Sequence, residues 1–341
     1  MGRQTAHPPF RKARHGQNLS IACTICPGAQ GSLTKVRIRA EKGIFMHGEH
    51  RVLSKRRLSE EVYRMEIEAP LVARERRAGQ FVIVQCDENY AERIPLTIAD
   101  ADPAAGTVTL IFQTVGASTH KLALKEPGDG IVLLGPLGNP THIEKFGWAV
   151  CVGGGIGLAP LHPIVKALKE AGNRVTVISG ARTAELLIMQ EEMNALAEEN
   201  IVVTDDGSAG RKALVTEPLG ELCAATPPPD IVVTIGPPVM MKFCAATTKP
   251  FGVKTLASLN TIMIDGTGMC GGCRVSVGGQ TKFVCVDGPE FDAHEVDWAQ
   301  MMTRLGAYKG LEQAAHDKCH LEMAAEALEA KDAGAAGKAA V

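Results

Sequence analysis

The chain has 341 residues, enough for two or three domains, and its 45% apolar content is ordinary for globular cores. No run of about 18 apolar residues occurs, which excludes a membrane-spanning helix. The formal charge of −2 conceals an asymmetry: residues 1–45 hold eight Lys/Arg against one acid, Glu41, and the remainder carries 28 basic against 37 acidic residues, a balance that argues against a nucleic-acid partner.

Residues 1–45 have scattered Arg and His and no sustained period, which predicts a disordered extension. An organelle-type targeting segment or an extension upstream of a start at Met46 both fit that composition. No secretory apolar region is present, and Ala6 breaks the myristoylation pattern. The lone C-x-x-C of Cys23 and Cys26 is weak evidence for metal or redox work.

Residues 46–145 are short alternating or apolar runs, among them "VYRMEIEA", "QFVIVQC", "TVTLIFQTV" and "GIVLLGPLG", separated by Gly, Pro and Asp. This rhythm predicts an antiparallel barrel or sandwich. Within it, "RIPLT" sets Arg93, Pro95 and Thr97 on one face of an extended segment, so a cation and a hydroxyl can address one ligand. "VGASTHKL" offers Gly116, Ser118 and Thr119 ahead of a helical turn, either a pyrophosphate cradle or an ordinary helix cap.

Residues 146–250 alternate apolar strands of five or six residues with helical patterns, the signature of a doubly wound parallel sheet. "GGGIGLAP", Gly153 to Pro160, follows the first strand and opens a helix. Gly153, Gly154, Gly155 and Gly157, with Ala159 and Pro160, permit close approach of a phosphate or flat ring to the helix N-terminus. The spacing is not G-x-G-x-x-G, and a structural strand-to-helix turn is the competing reading. Arg182 and Thr183 end a second strand at the carboxyl edge, where open α/β sheets bind ligands. Gly236 and Pro237 end the last strand of this region, where "GPPVMM" reads as a loop rather than a helix start.

Residues 251–310 read as short strands around three cysteines, followed by helix from His294 onward, and residues 311–341 as a helical or disordered tail. The first segment carries the strongest signal. Asp265, Cys270, Cys273 and Cys285 have the spacing D-x4-C-x2-C-x11-C, which is the plant-type 2Fe-2S loop with Asp in the first ligand position. Gly266, Gly268, Gly271 and Gly272 supply the backbone freedom such a loop needs, and a Cys3Asp zinc site is the alternative. Cys86, Cys151, Cys223 and Cys244 stand singly in apolar surroundings, a pattern that favours the cytoplasm. Val296, Met301, Met302, Leu305 and Tyr308 form a stripe that either packs on the cysteine segment or docks on a partner.

Together these motifs resemble the ferredoxin reductase-like flavoproteins, most closely the electron-transfer subunits related to dihydroorotate dehydrogenase, over roughly residues 50–310. The resemblance implies three modules: an antiparallel FAD-binding β-barrel, a doubly wound parallel-sheet NAD(P)-binding domain and a small C-terminal 2Fe-2S domain. Family motifs place Arg93, Pro95, Leu96 and Thr97 at the flavin, Gly116, Ser118 and Thr119 at its pyrophosphate, and Gly153 to Pro160 at the nicotinamide nucleotide. Thr97, as a hydrogen-bonding residue beside the flavin ring, is the catalytic candidate. Asp265 departs from the all-cysteine ligand set and is similar to the NADH-dependent ferredoxin:NADP oxidoreductase branch, also called sulfide dehydrogenase beta subunits. The resemblance further implies a larger flavin and 4Fe-4S partner akin to the glutamate synthase small chain, with ferredoxin reached through the complex. It leaves open NAD(H) against NADP(H) and a bifurcating mode. Alternatives are a dihydroorotate dehydrogenase electron-transfer subunit, a stand-alone reductase, or a redox-sensing NAD(P)-binding module.

Overall fold

The computed structural model describes residues 50–86, 92–319 and 321. Expectations for residues 1–45, including Cys23 and Cys26, and for most of the tail lie outside the described residues; the helical reading of the tail meets residues 309–319, which are helical.

Six antiparallel strands close into a barrel: β1 (His50–Arg57), β2 (Val62–Glu68), β3 (Phe81–Gln85), β4 (Ile94–Asp102), β5 (Thr107–Gln113) and β6 (Gly130–Leu137), in the order β1-β2-β5-β4-β3-β6. Period-2 alternation drives it. In β2, Met65 and Ile67 are buried while Arg64 and Glu66, on the alternate positions, are half-buried with their side chains partly in solvent. The interior is filled by residues such as Val82, Ile98, Leu110 and Phe112, so the barrel is a packed core with no open edge. Two helices decorate it, α1 (Pro70–Glu75) and α2 (Ala117–Leu124), the second plugging its Leu122 into the barrel interior.

A seven-stranded sheet follows, formed by β7 (Trp148–Gly154), β8 (Arg174–Ala181), β9 (Glu199–Thr204), β10 (Arg211–Lys212), β11 (Ile231–Ile235), β12 (Lys254–Ser258) and, late in the chain, Glu290–Asp292. The order is β10-β9-β8-β7-β11-β12 followed by Glu290–Asp292, parallel throughout except that this last strand runs antiparallel to β12. Helices α3 (Leu158–Glu170), α4 (Gln190–Leu196), α5 (Thr216–Cys223) and α6 (Pro238–Thr248) cover its faces. Because helices shield both sides, β7 and β11 read as continuous apolar runs with every residue from Ala149 to Gly154 and from Ile231 to Ile235 buried. The reversal of strand order lies between β7 and β11.

Three local expectations change. "GPPVMM" starts α6: Pro238 occupies the first helical position, where the missing N–H costs nothing and the fixed φ suits the helix. Lys254–Ser258 and Glu290–Asp292, read with the cysteine segment, pair into the nucleotide-type sheet. Residues 294–296 are not helical; Val296 bridges to Val277, and helix begins only after Asp297, whose carboxylate accepts from the Gln300 amide at 3.0 Å.

Between β12 and Glu290–Asp292 lie a hairpin, β13 (Arg274–Val277) and β14 (Gln280–Phe283), and the short helix α7 (Val284–Asp287); the edge strand Glu290–Asp292 is β15, followed by helix α8 (Trp298–Leu305). One apolar cluster joins all three regions: Phe81 and Ile83 of the barrel, Met241 and Ala245 of α6, and Met263, Cys273, Cys285 and Met301 of the cysteine segment. Met301 and Val296 of the expected stripe are buried in this cluster, and Leu305 packs against it, whereas Tyr308 is exposed. Cys86, Cys151, Cys223 and Cys244 are buried structural cysteines.

Candidate functional site

The carboxyl edge of the sheet opens on a cavity of about 950 Å³, within the range of small-molecule and cofactor sites. Its walls come from all three regions. The barrel contributes Phe81 and Pro95, Leu96 and Thr97; Phe81 and Thr97 are directly opposite in the β3–β4 ladder. The sheet edge contributes Gly154 at the end of β7, Gly155 and Gly157 in the turn after it and Pro160 in the first turn of α3, Arg182 after β8, Asp205 after β9, and Gly236 and Pro237 after β11. Asn260, Thr261 and Met263 close it from the cysteine segment.

Two glycines show what the β7–α3 turn requires. Gly155 has φ +54° and nothing within 4 Å of where a Cβ would sit, so this bend stays bare toward the cavity. At Gly157 a Cβ would meet the Ile235 carbonyl oxygen at 2.3 Å; the bare backbone lets α3 start against β11. Gly153 and Ala159 are buried beneath the turn rather than lining the cavity.

Along α2, Thr119 lines the cavity, but its hydroxyl is committed: it accepts from the amides of Val115 and Gly116 at 3.0 and 3.1 Å. Ser118 donates to Glu92 at 2.5 Å. These hydroxyls shape the turn, leaving the backbone amides of the first helical turn as its donors. Arg93, one residue before β4, is exposed; it lies outside the lining, as do the half-buried Gly116, Ser118 and Thr183.

The cysteine loop needs left-handed backbone at Gly266, Gly268 and Gly271, with φ of +74°, +87° and +65°. Cys273 and Cys285 are buried with their sulfurs 3.2 Å apart, and the Cys285 amide donates to the Cys273 sulfur at 3.4 Å. Cys270 is exposed and its sulfur accepts from the Gly272 amide at 3.4 Å. Asp265 turns back on its own loop, accepting from the amides of Thr267 at 2.9 Å and Cys270 at 2.7 Å. Burial raises its pKa, but those amides outweigh burial and hold the carboxyl below its ordinary value. Thus two of the four expected ligands converge, and among the described residues no three His, Cys, Asp or Glu side chains surround one point.

The donors nonetheless suit a cationic iron–sulfur centre. Burial, with the hydrogen bond to Cys273, pushes the Cys285 thiol up to about 12, so two thiolates could share this space only beside compensating positive charge. The loop amides already point at sulfur and at the carboxylate.

Sequence reading missed Phe81, Asp205, Asn260, Thr261 and Met263. The signal at 260–263 was available: these residues follow a parallel strand at the carboxyl edge, once β12 is assigned to the sheet.

A flavin-type barrel joined to a parallel nucleotide sheet, with the cavity at their meeting edge and a cysteine loop behind it, defines a ferredoxin reductase-like oxidoreductase. Residues 151–246 match an oxidoreductase NAD-binding domain, and residues 260–297 match the iron–sulfur cluster binding domain of dihydroorotate dehydrogenase B. The chain belongs to the family of dihydroorotate dehydrogenase B electron-transfer subunits. It is 47% identical over 268 residues to the Thermotoga maritima homolog of that NAD(+)-type subunit, covering 78% of this chain and 94% of the relative. The Bacillus caldolyticus subunit is 35% identical over 254 residues, covering 72% and 96%. Among solved structures, a chain of NADH-dependent reduced ferredoxin-NADP oxidoreductase, studied for flavin-based electron bifurcation, superposes with TM-score 0.75 at 46% identity, covering 80% of this chain and 98% of that one. The Neisseria gonorrhoeae ferredoxin NADP+ reductase, solved with FAD and NADP, shares the fold at TM-score 0.50 and 19% identity, covering 60% and 91%. No helix among the described residues is long and apolar enough to cross a membrane.

Proposed function

We propose that the chain is the flavin and iron–sulfur subunit of a ferredoxin:NADP oxidoreductase-type complex, converting the electron pair of a reduced nicotinamide into single electrons for a partner subunit. The observation that carries this reading is the one cavity walled by barrel, sheet edge and cysteine segment. FAD held there would accept a hydride and release electrons singly to a 2Fe-2S centre.

The chain's residues divide that work. Thr97 offers a hydroxyl from the wall nearest Phe81 and hydrogen-bonds the ring edge, while Pro95 and Leu96 form the apolar bed. The first-turn amides of α2, with the exposed Arg93, hold the flavin's pyrophosphate. Gly154 to Pro160 and the N-terminus of α3 receive the nicotinamide nucleotide, with Arg182, Gly236 and Pro237 along its rim. Asp265, Cys270, Cys273 and Cys285 bind iron, and Met263 fills the apolar space between the cavity and the buried cysteines. No general acid or base is required by hydride transfer.

Asp265 in the first ligand position favours the NADH-dependent ferredoxin:NADP oxidoreductase assignment, with a larger flavin and 4Fe-4S partner resembling the glutamate synthase small chain, working in the cytoplasm. A dihydroorotate dehydrogenase complex is the second reading, favoured by the iron–sulfur domain match. Anaerobic purification with the native partner tests both. The expected result is yellow protein whose flavin bleaches on adding NADH or NADPH, a 2Fe-2S paramagnetic signal, and a co-purifying subunit that reduces ferredoxin or NADP+. Flavin-free protein, or flavin untouched by either nicotinamide, sinks the proposal; a partner that oxidises dihydroorotate establishes the second reading.

A further inference from the structure

β13 pairs with β14 along one edge only, and its other edge is covered by the segment that enters and forms α8. The Asp297 amide donates to the Ser276 carbonyl at 2.9 Å, Gln300 Oε1 accepts from the Ser276 amide at 3.0 Å, and Arg304 Nε donates to the Arg274 carbonyl at 3.2 Å. This row of contacts runs past the strand into the cysteine loop, where a second arm of Arg304 donates to the Gly272 carbonyl at 3.1 Å. One guanidinium thus spans the carbonyls of the residues on either side of Cys273.

Arg274 acts on the same loop from the strand. Its guanidinium donates to the Gly271 carbonyl at 3.1 Å. The N–H of that peptide unit belongs to Gly272 and donates to the Cys270 sulfur at 3.4 Å. Carbonyl and N–H of a trans peptide point in opposite directions, so the unit links cation to sulfur: the guanidinium pulls on its oxygen while its hydrogen faces the thiol. The Gly272 carbonyl held by Arg304 likewise belongs to the peptide unit that carries the Cys273 amide. The nearest loop carboxylate, Asp265, is taken up by the amides of Thr267 and Cys270. Among the described residues no carboxylate stands within ion-pair distance of either arginine, so neither charge is neutralised by a direct partner.

We infer that Arg274 and Arg304 are positioning residues of the iron–sulfur site, which turn the loop carbonyls outward and raise the reduction potential of the centre through the positive charge they place behind its peptide units. The inference rests on the reading of Asp265, Cys270, Cys273 and Cys285 as the iron ligands. Three thiolates and a carboxylate each bring a negative charge to one loop, and an electron received there adds another. Nearby cations and amides aimed at sulfur favour that reduced state. Lysine at either position keeps the charge without the planar fork, whereas glutamine keeps an amide donor without the charge.

The test uses full-length protein purified anaerobically with its flavin and iron, in the wild-type form and as Arg274→Gln, Arg274→Lys, Arg304→Gln and Arg304→Lys. Each is titrated with redox mediators while the paramagnetic resonance signal of the reduced centre is followed, beside iron analysis and a melting curve. Both Gln variants should keep their iron and shift the reduction equilibrium about tenfold toward the oxidised form, a fall of about 59 mV for one electron, whereas both Lys variants should stay within about threefold of wild type. If one Gln variant loses its iron, the other decides. Gln variants at or above the wild-type potential, Lys variants that fall as far as the Gln variants, or iron lost from both Gln variants overturn the inference, because the arginines then only brace the loop. Wild-type protein without an iron–sulfur signal removes the ligand reading itself, and the inference falls with it.

Discussion

The Thr141 hydroxyl donates to the carboxyl of Glu290 at 2.5 Å, tying the segment between barrel and sheet to the edge strand β15. Part of Glu290 reaches the surface, but its carboxyl is enclosed: burial raises its pKa from the ordinary 4.5 to about 7, and the Thr141 hydrogen bond only partly offsets that. A carboxyl with a raised folded-state pKa binds more protons folded than unfolded. Its favourable contribution is therefore complete below about pH 4.5 and lost as pH rises through about 7. At pH 8 the ionised group costs up to about 3 kcal/mol. Glu290→Gln should flatten the pH dependence of the melting temperature between pH 5 and 8 and stabilise the protein at the upper end, as read by calorimetry across that range. A variant less stable than wild type at pH 8 would contradict the enclosed carboxyl.

Asp265 has two separable duties, its loop hydrogen bonds and its proposed iron ligation. Asp265→Asn retains an acceptor for the Thr267 amide and loses one for Cys270, a cost of about 1 kcal/mol, yet it should lose most of its iron. Asp265→Cys should keep iron and shift the reduction potential. Iron analysis, paramagnetic resonance and melting curves on one set of preparations separate these effects; an Asp265→Ala protein with full iron and an unchanged spectrum shows that the ligand lies elsewhere.

Two glycines of the β7–α3 turn should respond differently to the same added methyl. Gly157→Ala drives a methyl into the Ile235 carbonyl and should destabilise by about 3 kcal/mol. Gly155→Ala meets only its positive φ, about 1 kcal/mol, but its methyl points into the open cavity and should weaken nucleotide binding. Denaturant midpoints and NADH titrations read the two effects; equal stability losses would contradict the packing argument.

Thr97→Val keeps the shape of the cavity wall and removes one hydroxyl. The fold should survive with its flavin, and the rate of flavin reduction by NADH should fall about fivefold to tenfold, the value of one hydrogen bond. Stopped-flow bleaching measures it, and an unchanged rate removes Thr97 from the flavin edge.

The architecture was legible in the sequence because period-2 barrel strands and wholly apolar sheet strands are different patterns. What escaped followed from non-local pairing: nothing within "KTLAS" or "EFD" announces that these strands join the sheet begun at Trp148, and so the residues after β12 do not read as a strand edge. The same blind spot hid Asp205, which lines the cavity from just beyond the end of β9. The prolines of "GPPVMM" misled in the other direction, being breakers inside a helix but starters at its first turn.

The apolar cluster shared by Phe81, Met241, Met263 and Cys285 fixes one further property. Close packing across it sets the clearances between the flavin wall, the nucleotide edge and the iron loop as those of a single solid, with thermal play no larger than that of an ordinary core. Electron hopping between such stations is throttled by distance, so a circuit cast in one block needs no swinging arm to bring donor to acceptor. Any gate on turnover must then sit at the terminals, where the nicotinamide enters and where the partner collects the charge.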